Sequence, residues 1–239
     1  MVIKGGTIIV IKINADDFGR NSVANRNIIE CFNNGLINSA TIMMNMPDTK
    51  NAIKFAKEKG FLGKLGVHIV LDEGIPLTTA MRNFRKFCDN DGTYKKNIPR
   101  HQYLNREERK IIYDEVIAQI NSAKKNGLYP THLDSHRHRH QDFWVALAVK
   151  KAAIDSGIGY IRRHKSGAGL MRSMYACFID LYYKIGSSIK TSDCFYSIFK
   201  YPDNLHQNNL YIEIMCHPEN KEDVEALYVL KEKLKNCNT

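Results

Sequence analysis

No two of the six cysteines, at positions 31, 88, 177, 194, 216 and 237, stand in CxxC spacing, and they are too scattered to read as a disulfide framework. Nor does the chain start with a charged segment, an apolar run and a small-residue cleavage site. Reduced thiols and a cytoplasmic location are therefore expected. No apolar stretch approaches the length that spans a bilayer, so no membrane partner is expected. RNP-type aromatics, zinc-finger spacing and a basic heptad region are also missing, which argues against nucleic acid as a partner. Internal repeats, low-complexity tracts and linkers are absent, so the 239 residues are expected to form one domain around one core.

The composition is that of an ordinary soluble globular protein, with 44% hydrophobic and 25% charged residues. Lys and Arg outnumber Asp and Glu by 35 to 25, giving a formal charge of +10. The basic residues are spread along the chain. They read as solvated helix faces that attract anions in general rather than as one binding patch.

The densest chemistry lies in Thr131–His140, THLDSHRHRH, which holds four of the nine histidines and an aspartate. Imidazole and carboxylate are ordinary ligands of a catalytic divalent metal. His132 and His136 are four apart and would share a helix face. His136, His138 and His140 alternate and would share one side of an extended segment. The spacing alone leaves both open, and a solvated polar loop is the plain competing reading.

Along the chain, the β-branched run Thr7–Ile13 reads as a buried parallel strand ending at Asn14-Ala15-Asp16-Asp17-Phe18-Gly19. A helix is expected from Ser22 to Gly35, a strand over Ala40–Met44, a helix over Asp48–Lys59 and a strand over Leu65–Leu71 that carries His68. Periodicity is lost from Ile75 to Leu104, so a long loop or lid is expected at 75–104. Asn105 with Glu108 reads as a capping box that opens a helix to Asn126. A short strand at His132–Asp134 precedes the histidine tract and a helix over Asp142–Ser156. Further strands are expected at Ile158–Ile161, ending in Arg162 and Arg163, then one closed by Thr191-Ser192-Asp193, and one at Leu210–Met215. Helices are expected at Met171–Tyr183 and Lys221–Leu234. Strands alternating with helices give an α/β fold with about seven parallel strands, open or closed into a barrel, and functional groups gathered beyond the carboxyl ends of the strands.

That rule puts Asp16 and Asp17 after the first strand, His68 near the end of the third, His136 after the fourth and His217 after the last. An Asp pair can simply cap a helix, and a strand-end His is commonly just packed. Together, though, one acid and two imidazoles make a three-ligand site with open positions. Asp17, His68 and His136 are the candidate metal ligands, Asp16 the candidate base and His217 the candidate acid. Asp134 is suited to orienting a ligand imidazole.

The strings INADDFG (13–19), GVHIVLDEG (66–74), THLDSHRHRH (131–140) and EIMCHPE (213–219) resemble, in order and spacing, the motifs of the YdjC-like carbohydrate deacetylases. GLINSATIMMN (35–45) and TSDCF (191–195) sit where family members have similar segments. The resemblance implies a deformed (β/α) barrel of seven parallel strands with one divalent metal ion, magnesium or zinc. It also implies hydrolysis of an acetyl group from an N-acetylated sugar such as a chitooligosaccharide, and leaves room for a homodimer. It gives Asp17, His68 and His136 as metal ligands, Asp16 as base and His217 as acid. His132, His138, Arg162 and Asp193 are expected beside the site, supporting ligands or touching substrate. Asp72 and Glu219 depart from the family pattern, and Arg162-Arg163-His164 is unusually basic. The competing functions are hydrolysis of another amide or a phosphoester, and a catalytically silent barrel that binds carbohydrate or nucleic acid.

Overall fold

The computed structural model describes residues 2–4, 7–164, 170–201 and 210–236. Its centre is β2, Thr7–Phe18, flanked by parallel neighbours on both sides: β3 (Ser39–Ile42) and β7 (Tyr211–Cys216). β4 (Leu65–Ile69), β5 (Leu133–Ser135) and β6 (Cys194–Ser197) extend the sheet in the order β5-β4-β3-β2-β7-β6. All six run parallel, and the short β1, Val2–Lys4, pairs antiparallel to β2. The sheet curls into a half-barrel, the deformed α/β barrel that the resemblance implies, but with six parallel strands among the described residues where about seven are expected, because the strand expected at Ile158–Ile161 does not form in full.

The strand expected at Ile158–Ile161 is reduced to two bridges, Leu133 with Ile161 and Tyr160 with Lys190. These span the interval between the edge strands β5 and β6, with Leu133 N donating to Tyr160 O at 3.0 Å and Ile161 N to Lys190 O at 3.1 Å. The strand expected to close at Thr191-Ser192-Asp193 instead opens after them, at Cys194, so these residues lie at its amino-terminal end.

The helices follow their sequence signals. α1, Ser22–Asn33, is capped by the Asn21 side chain, and α2 spans Thr49–Glu58. Within the 75–104 segment only a single short helix, α3 (Thr79–Arg82), forms, its N-cap being Thr78. α4, Arg106–Lys125, has the complete capping box between Asn105 and Glu108. α5, Phe143–Ser156, stops at Gly157, whose φ of 72° is one that glycine adopts without strain. α6 spans Leu170–Lys184 and α7 Lys221–Asn236. One hydrophobic cluster joins strand residues such as Ile13, Ile42, Val67 and Ile214 to helix residues such as Ile28, Ile120 and Val149. Helix cover on the parallel sheet keeps β3 and β4 buried along their whole length.

The segment 75–104 is tied to the barrel rather than loose. The buried Glu115 of α4 accepts from Leu77 N, Thr78 N and Thr78 Oγ1 at 2.8–2.9 Å. Farther on, Arg139 donates to Ile98 O at 2.7 Å.

Candidate metal centre and catalytic cleft

β2 does not stop at Ile13, as its apolar run suggests, but continues through Asp17 to Phe18. The register against β3 slips between Ala15 and Phe18, and Asp17 adopts a φ of 67°. A left-handed aspartate inside a bulge is a costly conformation of the kind that accompanies function. It turns the Asp17 side chain in among residues from two other strand ends.

There, Asp17 Oδ1 lies 3.2 Å from His68 Nε2, at the end of β4, and 3.2 Å from His136 Nδ1, just after β5. All three residues are buried. The other nitrogen of His68, Nδ1, lies 2.7 Å from Asp134 Oδ1, so the bond to Asp134 fixes the ring with Nε2 toward Asp17. Thr41 Oγ1 donates to Asp134 Oδ2 at 2.9 Å and completes the support. Asp17, His68 and His136 present donor atoms within 4.8 Å of one another, and one carboxylate with two imidazoles is a donor set that suits a divalent ion.

Asp16, His68 and Asp134 also approach one another closely. In that group a fully buried guanidinium already engages both acids: Arg162 Nη1 and Nη2 donate to Asp16 at 2.7 and 2.8 Å, and Nη2 lies 2.8 Å from Asp134 Oδ2. A cation there would face a fixed positive charge, so the Asp17 cluster is the better candidate.

Electrostatics follow from this packing. Burial alone would raise the Asp16 carboxyl, but the Arg162 fork overrides it and holds Asp16 below the usual carboxylate range. Asp17 behaves alike: burial raises it, and the bonds from His136 and His68 outweigh that and lower it. Burial opposes charge on His68 and His136, yet their acidic neighbours raise both. Glu73 lies 3.0 Å from His136 Nε2 and accepts from Arg20 at 2.9 and 3.2 Å; with the His136 contact leading, it is pulled down to about 2.

Beneath Asp16 the network runs deeper. Arg162 Nε donates to Glu213 at 2.7 Å, Tyr160 OH donates to the same carboxylate at 2.7 Å, and Lys12 Nζ stands 3.9 Å away. Asn14 Nδ2 donates to Asp16 Oδ1 at 2.9 Å. Pairing of Ala15 with Cys216 sets His217 beside Asp16 at the same end of the sheet. His217 is about one-third exposed, and its backbone N–H donates to Asp223 at 2.7 Å.

The remaining sequence candidates separate. The tract 136–141 is one irregular helical turn, neither extended nor an α-helix face, because Arg137 and His138 have φ of 48° and 55°. Its histidines therefore diverge. His136 faces Asp17, His138 packs edge-on against Phe195, and His140 is buried between Ser135 Oγ and Arg162 O. His132 is buried below the site, with Nε2 3.0 Å from Asn14 Oδ1, and burial keeps it well below an ordinary histidine, hence neutral. Arg162 does not reach out to substrate; its three acidic partners enclose it completely. Asp193 is not part of the site. Its carboxylate accepts from Tyr211 N at 2.8 Å at the amino-terminal start of β7, the opposite end of the strands.

Beside the cluster opens a cleft of about 970 Å³, lined by Arg20, Asp72, Glu73, Arg100, Arg137 and Arg139 with part of the 93–100 segment. Glu73 belongs to both the cleft wall and the His136 contact. Asp72, the departure from the motif pattern, receives Arg139 Nε at 3.0 Å and so braces the wall. Thr41, Asn14 and Glu213 lie within the quoted strings, but their part in the site emerges only from the pairing of β2, β3 and β7.

The profile of the YdjC-like protein family matches residues 10–235. A carbohydrate deacetylase of Clostridium beijerinckii is 33% identical over 216 residues, covering 86% of this chain and 80% of that protein. One from Geobacillus stearothermophilus is 32% identical over 206 residues, covering 86% and 78%. Among solved structures, an Enterococcus faecalis V583 protein provisionally named for cellobiose-phosphate cleavage superposes with a TM-score of 0.72 at 21% identity, covering 95% of this chain and 94% of the other. With the matched region running from β2 to α7, the chain belongs to the YdjC-like family.

Proposed function

We propose that this protein is a metal-dependent hydrolase that removes the acetyl group from an N-acetylated sugar, with chitooligosaccharides as the first substrates to try. The observation that carries the reading is the meeting of Asp17, His68 and His136, with Asp16 and His217 at the same strand ends. The names of the relatives support the chemistry, since both are carbohydrate deacetylases.

A divalent ion such as magnesium or zinc, held by Asp17, His68 and His136, would supply a Lewis acid that polarises an amide carbonyl and acidifies water. The chain's own groups do the rest. Asp16, kept ionised by Arg162, takes the proton of the attacking water. His217, partly open to solvent, delivers a proton to the departing sugar amine. Asp134 and Thr41 hold the His68 ring so that the ligand set does not have to reorganise. The cleft walls offer guanidinium and carboxylate groups to sugar hydroxyls. The cysteines among the described residues are all free, in keeping with a reducing compartment such as the cytoplasm.

The test is acetate release from diacetylchitobiose by purified protein supplied with magnesium, zinc or cobalt. Release that depends on added metal is expected. A folded, metal-loaded protein that frees no acetate from a panel of N-acetyl sugars would refute the reading.

A further inference from the structure

Of the two departures from the family pattern, Asp72 is answered by Arg139 and Glu219 by Arg20. Arg20 Nη1 donates to Glu219 Oε2 at 3.1 Å, while Nε and Nη2 donate to the two oxygens of Glu73 at 2.9 and 3.2 Å. One guanidinium thus joins a carboxylate beyond β7 to a carboxylate beyond β4. Its Nη1 also stands 3.7 Å from Asp17 Oδ2, at the edge of the metal cluster. A planar fork can serve several acceptors in fixed directions, which an ammonium cannot.

Glu219 lies two residues after His217, and the turn between them is anchored from α1. Asn21 caps that helix with its side-chain oxygen, accepting from Val23 N and Ala24 N at 3.0 and 2.9 Å. The cap orients the amide, and its nitrogen donates to Glu219 Oε1 at 2.8 Å. Farther along α1, Asn27 Nδ2 donates to Pro218 O at 2.8 Å. On the α7 side, Asp223 accepts from His217 N, and Asn220 N closes the turn on His217 O at 2.9 Å. Of these contacts, the one through Glu219 runs on to the metal cluster, because Arg20 also holds Glu73, whose Oε2 is 3.0 Å from His136 Nε2.

Stability does not account for this bridge. The Arg20 and Glu219 side chains are about 30% exposed, and ion pairs that open add little to folding. Placement does account for it, since a small displacement of a reacting group is costly in rate. We infer that Glu219 is a positioning residue for His217: through Arg20 it locks the turn that carries the proton donor to Glu73, and so to the side of the cleft that carries His136. The inference rests on His217 acting as the acid in the deacetylase reading.

A double-mutant cycle on diacetylchitobiose hydrolysis by the metal-loaded protein tests it, with Glu219→Gln and His217→Gln made singly and together. Glu219→Gln keeps the length of the side chain and removes its charge. Its kcat is expected to fall about tenfold, with KM, metal stoichiometry and circular dichroism at wild type. His217→Gln is expected to lose roughly 10²- to 10⁴-fold. The double variant should match His217→Gln, because no acid is then left to place. 4-Nitrophenyl acetate, whose phenolate departs without a proton, should be cleaved by Glu219→Gln at the wild-type rate. If Glu219→Gln does not fold, Asn21→Ser, which keeps the helix cap and removes the amide donor to Glu219, is read by the same criteria. A wild-type kcat in Glu219→Gln, equal slowing on both substrates, or the same fractional loss with and without His217 would overturn the inference and leave the deacetylase reading standing. Full turnover in His217→Gln, or a wild type that frees no acetate, would overturn that reading and this inference with it.

Discussion

Arg162 grips both oxygens of Asp16, at 2.7 and 2.8 Å, from a position completely closed to water. This bidentate pair fixes the carboxylate in orientation and in its ionised form, and a lysine cannot reproduce the fork. Arg162→Lys is expected to lower kcat by ten- to a hundredfold while leaving metal stoichiometry at wild type. Because Asp134 and Glu213 also lose part of their partner, the melting temperature should fall as well. Steady-state kinetics alongside calorimetry check both effects.

Asp16→Asn keeps the size of the side chain and removes its basicity. If Asp16 takes the proton from water, turnover should drop by roughly 10²- to 10⁴-fold, the usual range for a positioned base. Metal binding should persist, since Asp17, His68 and His136 are untouched. Full turnover in a folded Asp16→Asn variant would remove Asp16 from the role.

Asp134→Asn replaces the acceptor that orients His68 at 2.7 Å. Losing such a support typically costs 10- to 100-fold in metal affinity. Titration calorimetry on metal-free protein measures this directly, and an unchanged affinity would show that the His68 ring is held in place without Asp134.

Lys12 gives a pH signature. Burial, partly offset by Glu213, lowers this amine to about 8 from the ordinary lysine value. Between that pH and the unfolded value the unfolded chain binds the extra proton, so stability contributed at this position rises with pH across the window. Relative to Lys12→Met, the wild type should gain on the order of 3 kcal/mol between about pH 8 and 10.5. Urea unfolding of the two proteins across that range is the measurement, and parallel curves would contradict it.

Gly66 marks a close approach of β4 to the chain bearing His132. A Cβ added there would lie 2.6 Å from the His132 ring and from its carbonyl oxygen. Gly66→Ala should therefore destabilise by about 1–3 kcal/mol, the usual cost of overpacking. Thermal melts compare the two proteins.

Much of this architecture could be read from the chain. The β-branched run of β2, the Asn105–Glu108 box and the stop at Gly35 are local signals, and local signals place local elements. The candidate ligands were also legible, because functional groups in parallel sheets gather at the carboxyl ends of strands. What escaped depends on distant pairing. Nothing near Arg162 in sequence reveals that Asp16, Asp134 and Glu213 surround it, so of the two places expected for it, supporting the ligands or touching substrate, only the fold gives the buried, supporting one. Asp193 was misleading in the opposite sense: its motif lies near β6, but at the amino-terminal end of the strands. The divergence of His136, His138 and His140 depends on two left-handed residues, Arg137 and His138, which spacing cannot disclose.

The central claim is that Asp17, His68 and His136 hold one divalent ion between them. Titrating chelator-treated protein with zinc, and following bound metal per chain, tests it most directly. One equivalent is expected for the wild type, with affinity falling at least a hundredfold in Asp17→Asn and in His136→Gln while circular dichroism stays native. Wild-type protein that takes up no ion, or variants that bind it as tightly as the wild type, would contradict the account.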